Sequence, residues 1–290
     1  MKNNQIKYLI GVDAGGTKCI ASITDIDGNI IGKGIAGPAN IGIEGVKSIN
    51  EILACTKLSL HNANILDDEL GNCAVAIGIA GLEIPNAKNI ISSWDHPYAS
   101  MFFTSDMHTA CLGAHKGEDG SILNIGTGIA SCEVKKSTHV IKGGWGFPMA
   151  DIGSGAWLGL RCIQELLCAI DGIRTHSPLT LSILSRFNGA NEILIWAETA
   201  TSSQYATFAK IAVKHYKDSD QVATQLINEM ISHVESFLQM LFNSNPQRVS
   251  IVGGLAEFVQ PLLNKHTKSR LSKPFGDATI GALQLAKSLT

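Results

Sequence analysis

A chain of 290 residues, 45% of them hydrophobic, can bury more than one core, and the length predicts two domains of ordinary size. A formal net charge of -2, with no Lys or Arg run longer than Lys135-Lys136, provides no long-range field for nucleic acid, so any anion site must be local. Seven cysteines without a Cys-x-x-Cys pair fit neither a zinc knuckle nor a disulfide framework and predict a reducing cytoplasm, while the polar start Met1–Lys7 and the lack of any apolar run of about 18 residues predict neither secretion nor membrane spanning.

The first apolar strand, Ile6–Ile10, runs into Gly11-Val12-Asp13-Ala14-Gly15-Gly16-Thr17-Lys18, and a second apolar run, Cys19–Thr24, follows at once. Paired glycines let backbone N–H groups converge on an anion; the Thr17 hydroxyl and Lys18 ammonium add donors, and the Asp13 carboxylate suits the hydration shell of Mg²⁺. Gly11 and Gly16 have the spacing of a Walker loop, but that loop needs Lys before Ser or Thr and then a helix. Here Thr17 precedes Lys18 and a strand follows, so an ordinary glycine-containing hairpin is the alternative reading. Asp27-Gly28 then turns the chain into a third strand ending near Gly34. In the loop Pro38-Ala39-Asn40-Ile41-Gly42, Asn40 offers a donor and an acceptor to a hydroxyl, or simply makes a turn.

Helical spacing covers Val46–Leu60, and Ala74–Glu83 is an apolar strand ending in Gly and Gly-Leu. The aromatic-rich strand from Phe102 ends at Thr104-Ser105-Asp106, where a helix to His115 begins. Ligands of open α/β sheets bind at strand C-terminal ends, so Asp106 is placed to take a proton from a substrate hydroxyl; a helix N-cap is the alternative. His108 reads as a helix-surface or packing residue, and with His115 it lacks metal-ligand spacing.

After the charged link Lys116–Gly120, the stretch Ser121–Gly144 repeats the opening meander: strand, Gly126-Thr127-Gly128 turn, strand, polar turn at Lys135–Thr138, strand. Val249–Glu257 likewise repeats the pattern of Ala74–Glu83. This echo of order predicts an internal duplication, with two Gly-Thr turns that embrace a polyphosphate from opposite sides. Between them, Gly143–Gly155 is a glycine-rich loop in which Gly144 and Trp145 form a sugar platform, or Trp145 anchors the loop in the core; Asp151 accepts two hydroxyls or caps the next helix. Gly253-Gly254 ends a strand and admits a flat ring such as adenine, or only close strand–helix packing.

Further helical spacing falls at Ser154–Ala169, Phe208–Tyr216, Gln221–Phe242 and Thr279–Leu289. Alternating strands and helices predict α/β layers with a mixed sheet in each half. The expected domains are residues 1–117 and 118–276, with a helical insertion over about 156–207, of which 170–207 has no counterpart in the first half, and a C-terminal helix over about 277–290 packing back on the first domain.

In this order, GVDAGGTK (11–18), GPANIG (37–42), TSDMHTACLGAH (104–115), NIGTG (124–128), GGWGFPMADIGSGAWLGLR (143–161), IVGGLAE (251–257) and KPFGDATIGAL (273–283) make the chain resemble the bacterial glucosamine and N-acetylglucosamine kinases related to the BadF/BadG/BcrA/BcrD ATPases, within the actin, Hsp70 and hexokinase superfamily. The segment DGIRTHSPL at 171–179, with FN at 187–188, resembles the glucosamine-specific members. The resemblance implies a duplicated RNase H-like, actin-like ATPase fold of two domains around a central cleft. It also implies ATP and Mg²⁺ as cofactors, an amino sugar as substrate and a homodimer. Carried over, Thr17 and Thr127 with their flanking Gly15, Gly16, Lys18, Gly126 and Gly128 contact ATP phosphates. Asp13 lies near the metal through water, Gly253 and Gly254 lie near the nucleoside, and Asp106 is the base for the sugar 6-hydroxyl. Asn40, Asp106, Gly144, Trp145 and Asp151 correspond to sugar-contacting positions. The implied product is glucosamine 6-phosphate; the alternatives are N-acetylglucosamine kinase and a BadF-like activator ATPase with an iron–sulfur cluster, which the unpaired cysteines disfavour. Two departures affect the sugar site: Ile129-Ala130 stands where animal N-acetylglucosamine kinases carry Ser-Asn, and Ile152 where Glu or Gln is usual. The zinc-binding cysteine cluster of the repressor-type sugar kinases is missing, which predicts no structural zinc.

Overall fold

Three strands open the chain as a meander, β1 (Tyr8–Ala14), β2 (Cys19–Asp25) and β3 (Ile30–Ala36), before the short helix α1 (Ile41–Glu44) and the longer α2 (Lys47–Asn62). Strand β4 (Cys73–Ile79), helix α3 (Ala87–Ser92), strand β5 (Ser100–Ser105) and helix α4 (Asp106–His115) follow. The structure, a computed structural model, describes residues 5–136 and 138–290; residues 1–4 of the polar start, and residue 137 in the turn expected at Lys135–Thr138, lie outside the described residues.

The first sheet has the order β3-β2-β1-β4-β5. β1 is antiparallel to β2 and parallel to β4, and β4 is parallel to β5. Every residue of β4 is buried, as expected for a strand with parallel neighbours on both sides and covered faces. In register, Asp13 lies opposite Gly78 and Gly78 opposite Thr104, so the C-terminal ends of β1, β4 and β5 form one rim. Asp13 and Asp106 both belong to that rim.

The second meander, β6 (Gly120–Ile125), β7 (Ile129–Lys135) and β8 (Thr138–Gly143), leads to helices α5 (Gly155–Ile170), α6 (Pro178–Leu184), α7 (Ala190–Thr199), α8 (Ser202–Lys217) and α9 (Gln221–Asn243). Strand β9 (Val249–Val252), short helices α10 (Ala256–Val259) and α11 (Lys265–Ser269), and the closing helix α12 (Ala278–Lys287) complete the chain. The sheet order β8-β7-β6-β9 repeats the order β3-β2-β1-β4 of the first sheet. The duplication expected from the sequence is therefore present in the strand order.

Two compact units result: Met1–Ile122 with Cys132–Val140 and Lys273–Thr290, and Leu123–Ser131 with Ile141–Ser272. In the first, Ile10, Val12, Ile23, Ile52, Ile77 and Ile79 form a buried core on one face of the sheet, while α12 covers Leu9, Ala74 and Ala76 with Ala282, Leu283 and Ala286. α12 crosses α4 so closely that a Cβ on Gly113 would strike the Asp277 carbonyl and one on Gly281 the Thr109 carbonyl, so both positions require glycine. The second unit packs Leu158, Ile163, Phe208, Leu226 and Leu238 from its helices around Leu123 and Ile125.

Caps set the helix starts that periodicity misplaced. α8 begins at Ser202 rather than near Phe208, because Thr201 and Gln204 form a capping box. The short helices α3, α10 and α11 and the 3-10 turn Asp67–Asn72 escaped the sequence reading, because four to six residues are too few to display a helical period.

Candidate active site

On the rim of the first unit, β1 delivers Asp13 and then reverses through Gly15–Lys18, closed by a hydrogen bond from Gly15 N to the Lys18 carbonyl at 3.1 Å. Gly16, Thr17 and Lys18 are exposed, leaving the hydroxyl and the ammonium in solvent. The neighbouring loop is tied to this turn by Ala39 N, which donates to the Gly15 carbonyl at 2.9 Å. Asn40 caps α1, its Oδ1 accepting from Gly42 N at 3.0 Å. The expectation that Asn40 offers both donor and acceptor is thus narrowed: its acceptor is engaged, and the amide Nδ2, directed toward Gly16, is the group it can offer.

Asp106 is the first residue of α4, and the helix cap is Ser105, whose Oγ accepts from Met107 N at 3.3 Å. The reading of Asp106 as the N-cap is corrected accordingly. Serine and aspartate are comparable caps, and the residue with extended backbone geometry takes the role. Burial pushes the Asp106 carboxyl above its ordinary range; the Met107 N–H, bonded to Oδ1 at 2.8 Å, and the Ser105 hydroxyl restrain that rise, while the Glu83 charge adds to it. Asp13 is pushed up to about 7 by burial and then by the like charges of Asp106 and Asp277, against the opposing pull of Lys18. Glu83, in the turn that follows β4, was not singled out by sequence reasoning. His108 is buried, bonded through Nδ1 to Thr104 Oγ1 at 3.0 Å and stacked on His139 with centroids 4.1 Å apart. Burial, then His139, lower it to about 4, which makes it a neutral packing group at neutral pH.

In the second unit, Gly126 N donates to the Gly128 carbonyl at 2.9 Å, and α5 is fixed to the same turn by Gly155 N on the Gly126 carbonyl (2.9 Å) and Ala156 N on the Thr127 carbonyl (3.0 Å). Leu255 N reaches the Ile125 carbonyl at 3.0 Å, bringing Gly253-Gly254 to this turn. Gly253 has φ +96°, and a Cβ there would strike Asn124 Oδ1, so close packing explains it; Gly254 faces open space. Gly126, Thr127, Gly128, Gly253 and Gly254 are therefore gathered in one place.

The loop between β8 and α5 presents Trp145 with 81% of its surface exposed, which removes the reading of Trp145 as a buried loop anchor. Asp151 does not cap α5: Ser154 does, its Oγ accepting from Trp157 N at 3.2 Å. Asp151 instead adopts φ +62°, with Oδ2 2.8 Å from the point a Cβ on Gly128 would occupy. Burial raises its pKa, backbone N–H groups of Ile129 and Gly146 oppose the rise, and its Oδ1 is buried without a hydrogen-bond partner. Gly144, Trp145 and Asp151 line a concavity of about 480 Å³ whose other wall is α9, through His233, Ser236, Phe237 and Met240. Their i, i+3, i+4, i+7 spacing marks one helix face. It gives no sign in the sequence of which loop that face meets.

Among the described residues, no three His, Cys, Asp or Glu side chains are gathered to hold a metal directly, and no helix is long and apolar enough to cross a membrane. The chain matches the BadF/BadG/BcrA/BcrD ATPase family over residues 10–284. It is similar to the glucosamine kinase GspK of Vibrio cholerae serotype O1, with 33% identity over 97% of this chain and 96% of that protein. An N-acetylmuramic acid/N-acetylglucosamine kinase of Clostridium acetobutylicum is 25% identical over 98% of this chain and 99% of its own length. Among solved structures, a Chromobacterium violaceum protein provisionally named an N-acetylglucosamine kinase superposes with a TM-score of 0.91 at 30% identity, covering 97% of this chain and 99% of that one.

Proposed function

Because this chain belongs to the BadF/BadG/BcrA/BcrD ATPase family, we propose that it transfers the γ-phosphoryl group of ATP to the 6-hydroxyl of D-glucosamine, giving glucosamine 6-phosphate and ADP. The observation that carries this reading is the 33% identity to the Vibrio cholerae glucosamine kinase over 97% of the chain. Asp106 is the base. Its raised pKa makes it a better proton acceptor than an exposed carboxylate, and it removes the 6-hydroxyl proton as O6 bonds to the γ-phosphorus and the bond to the bridging oxygen of ADP breaks. Such a transfer asks the protein chiefly for positioning and charge compensation. Gly15, Gly16, Thr17 and Lys18 in the first unit, and Gly126, Thr127 and Gly128 in the second, hold the phosphates; Gly253 and Gly254 meet the nucleoside.

Burial, with the charges of Asp106 and Asp277, pushes Asp13 up to about 7, and this local excess of carboxylates fits a hydrated divalent cation. Asp13 would hold Mg²⁺ through water, and the ion would supply charge compensation for the ATP phosphates. Asn40, Gly144, Trp145 and Asp151 bind the sugar. The partnerless Oδ1 of Asp151 supports a substrate that brings a donor, and a cationic amine is the strongest such donor. The cysteines give no support to the activator alternative, since six of the seven are buried. The reading carries with it a cytoplasmic homodimer. A coupled ADP-release assay on a panel of hexoses and amino sugars tests it: glucosamine is expected to give the highest kcat/KM, N-acetylglucosamine ahead of it would reverse the choice of substrate, and no sugar-dependent ADP release would remove the kinase reading.

A further inference from the structure

Asp106 stands at the corner where β5 becomes α4, and the bonds made there distinguish its two oxygens. Met107 N donates to Oδ1 at 2.8 Å, and the Ser105 hydroxyl donates to the same atom at 3.3 Å. Neither of these bonds reaches Oδ2. The terminal torsion of a carboxylate is broad, and a single hydrogen bond leaves the group a swivel. Two donors from different residues on one oxygen fix the plane of the group, and with it the direction of Oδ2. The corner itself is braced. Thr104 Oγ1 and His108 Nδ1 are 3.0 Å apart and both residues are buried, which ties the end of the strand to the first turn of the helix, and His139 stacks on His108 from β8. With the backbone held, the carboxylate torsion is the freedom that remains.

Ser105 is buried and also caps the helix, its Oγ accepting from Met107 N at 3.3 Å. That N–H is shared, and its shorter bond goes to Asp106, so much of the capping comes from the carboxylate. What the serine adds is an O–H donor, whereas the other donors to Asp106 are backbone N–H groups. We propose that Ser105 is a positioning residue for the phosphoryl transfer: its hydroxyl and the Met107 N–H pin Oδ1, so that Oδ2 is the atom that takes the proton of the sugar hydroxyl. The proposal rests on the amino-sugar kinase reading, with Asp106 as base.

The test is the pH dependence of kcat/KM for glucosamine in Ser105→Ala and Ser105→Gly, with melting temperature measured alongside. Removing a donor from an ionised carboxylate favours its protonated form, so the acid limb should move to higher pH in both variants, by roughly half a unit to one unit. Above the limb, kcat should fall about tenfold with the sugar KM unchanged, because the base is present but free to turn. Glycine is nearly as good a cap as serine and alanine is a poor one. A capping role alone therefore predicts a lower melting temperature in Ser105→Ala, little change in Ser105→Gly and an unmoved limb in both, and that pattern overturns the proposal. The other groups that titrate about this corner are Glu83 in the turn after β4, Asp13 on β1, itself acted on by Asp277 and Lys18, and His108 with His139 against it; these substitutions alter none of them. Thr104→Val cuts the tie to His108 and leaves both bonds on Oδ1, so it should lower the melting temperature and leave the limb in place. A limb that moves as far in Thr104→Val as in Ser105→Gly traces the shift to a loosened corner and also overturns the proposal. In either case turnover of glucosamine by the unmodified protein leaves the kinase reading standing. If the unmodified protein phosphorylates no hexosamine, that reading fails and the proposal falls with it.

Discussion

Asp106 combines two effects of one burial. Removal from water and the charge of Glu83 hold its proton to higher pH than a free carboxylate, so a base of useful strength stands at the strand end. Only the ionised form accepts the hydroxyl proton. Sugar kcat/KM should therefore be full above the raised pKa and fall as pH drops through it, placing the acid limb above the ordinary value of about 3.9. Glu83→Gln should move that limb to lower pH, and a limb unmoved in this variant would detach Glu83 from the base. Asp106→Asn should lower kcat by about 10²–10⁴ while sugar binding, read by calorimetry, persists. The same raised pKa makes the ionised group costly to the fold: its stabilising contribution is complete below the unfolded value and lost as pH rises through the folded one, so Asp106→Asn should melt above the unmodified protein at pH 8 and not at pH 4. Asp106 was legible because a strand running into a helix leaves little doubt about which end of the strand it occupies. Its escape from the cap role was not, since Ser105 and Asp106 differ as caps only through backbone geometry.

At the scale of elements, the segment 171–179 has packing and capping partners of its own. Arg174 pairs with Glu165, whose side chain is only 4% exposed, and Arg161 approaches the same carboxylate at 3.8 Å while bonding Glu229 of α9 at 3.1 Å. Ser177 and Thr180 form a capping box at the start of α6, and Asp220 accepts from Leu179 N at 3.0 Å and Ala223 N at 2.9 Å, joining α6 to α9. Arg174→Met leaves Glu165 buried with a weaker partner and should cost about 2–3 kcal/mol in urea unfolding, most of it recovered by adding Glu165→Gln. A loss that Glu165→Gln does not repair would mean that Arg174 acts through something other than this carboxylate. None of these pairings is visible in the sequence, where Glu165 reads as an ordinary polar position on a helix. By contrast, α2, α4, α5, α9 and α12 were legible within a few residues, because each is long enough to show its period.

Across the whole molecule, the repeated strand order gives each unit a meander whose first turn carries glycine and threonine, Gly15-Gly16-Thr17 in one and Gly126-Thr127-Gly128 in the other. That much could be read in advance, because a strand–turn–strand is a local pattern and its recurrence in the same order is improbable without duplication. The α9 wall of the concavity beside Asp151 could not, since His233 and Met240 meet the 143–152 loop across some 80 residues of chain and no local pattern encodes the meeting. The duplication also carries a consequence for the nucleotide. If both turns serve the same polyphosphate, each threonine contributes a hydroxyl to a charged acceptor, a bond worth about 1.5–3 kcal/mol. Thr17→Val and Thr127→Val should then each lower kcat/KM for ATP by about 10- to 100-fold, while Thr17→Ser and Thr127→Ser, which keep the hydroxyl, should recover most of it. Calorimetric titration of the sugar in the absence of nucleotide should give the same affinity in all four variants. A Thr127→Val enzyme with unaltered ATP kinetics would leave the first turn as the sole threonine contact and reduce the second to a relic of the duplication.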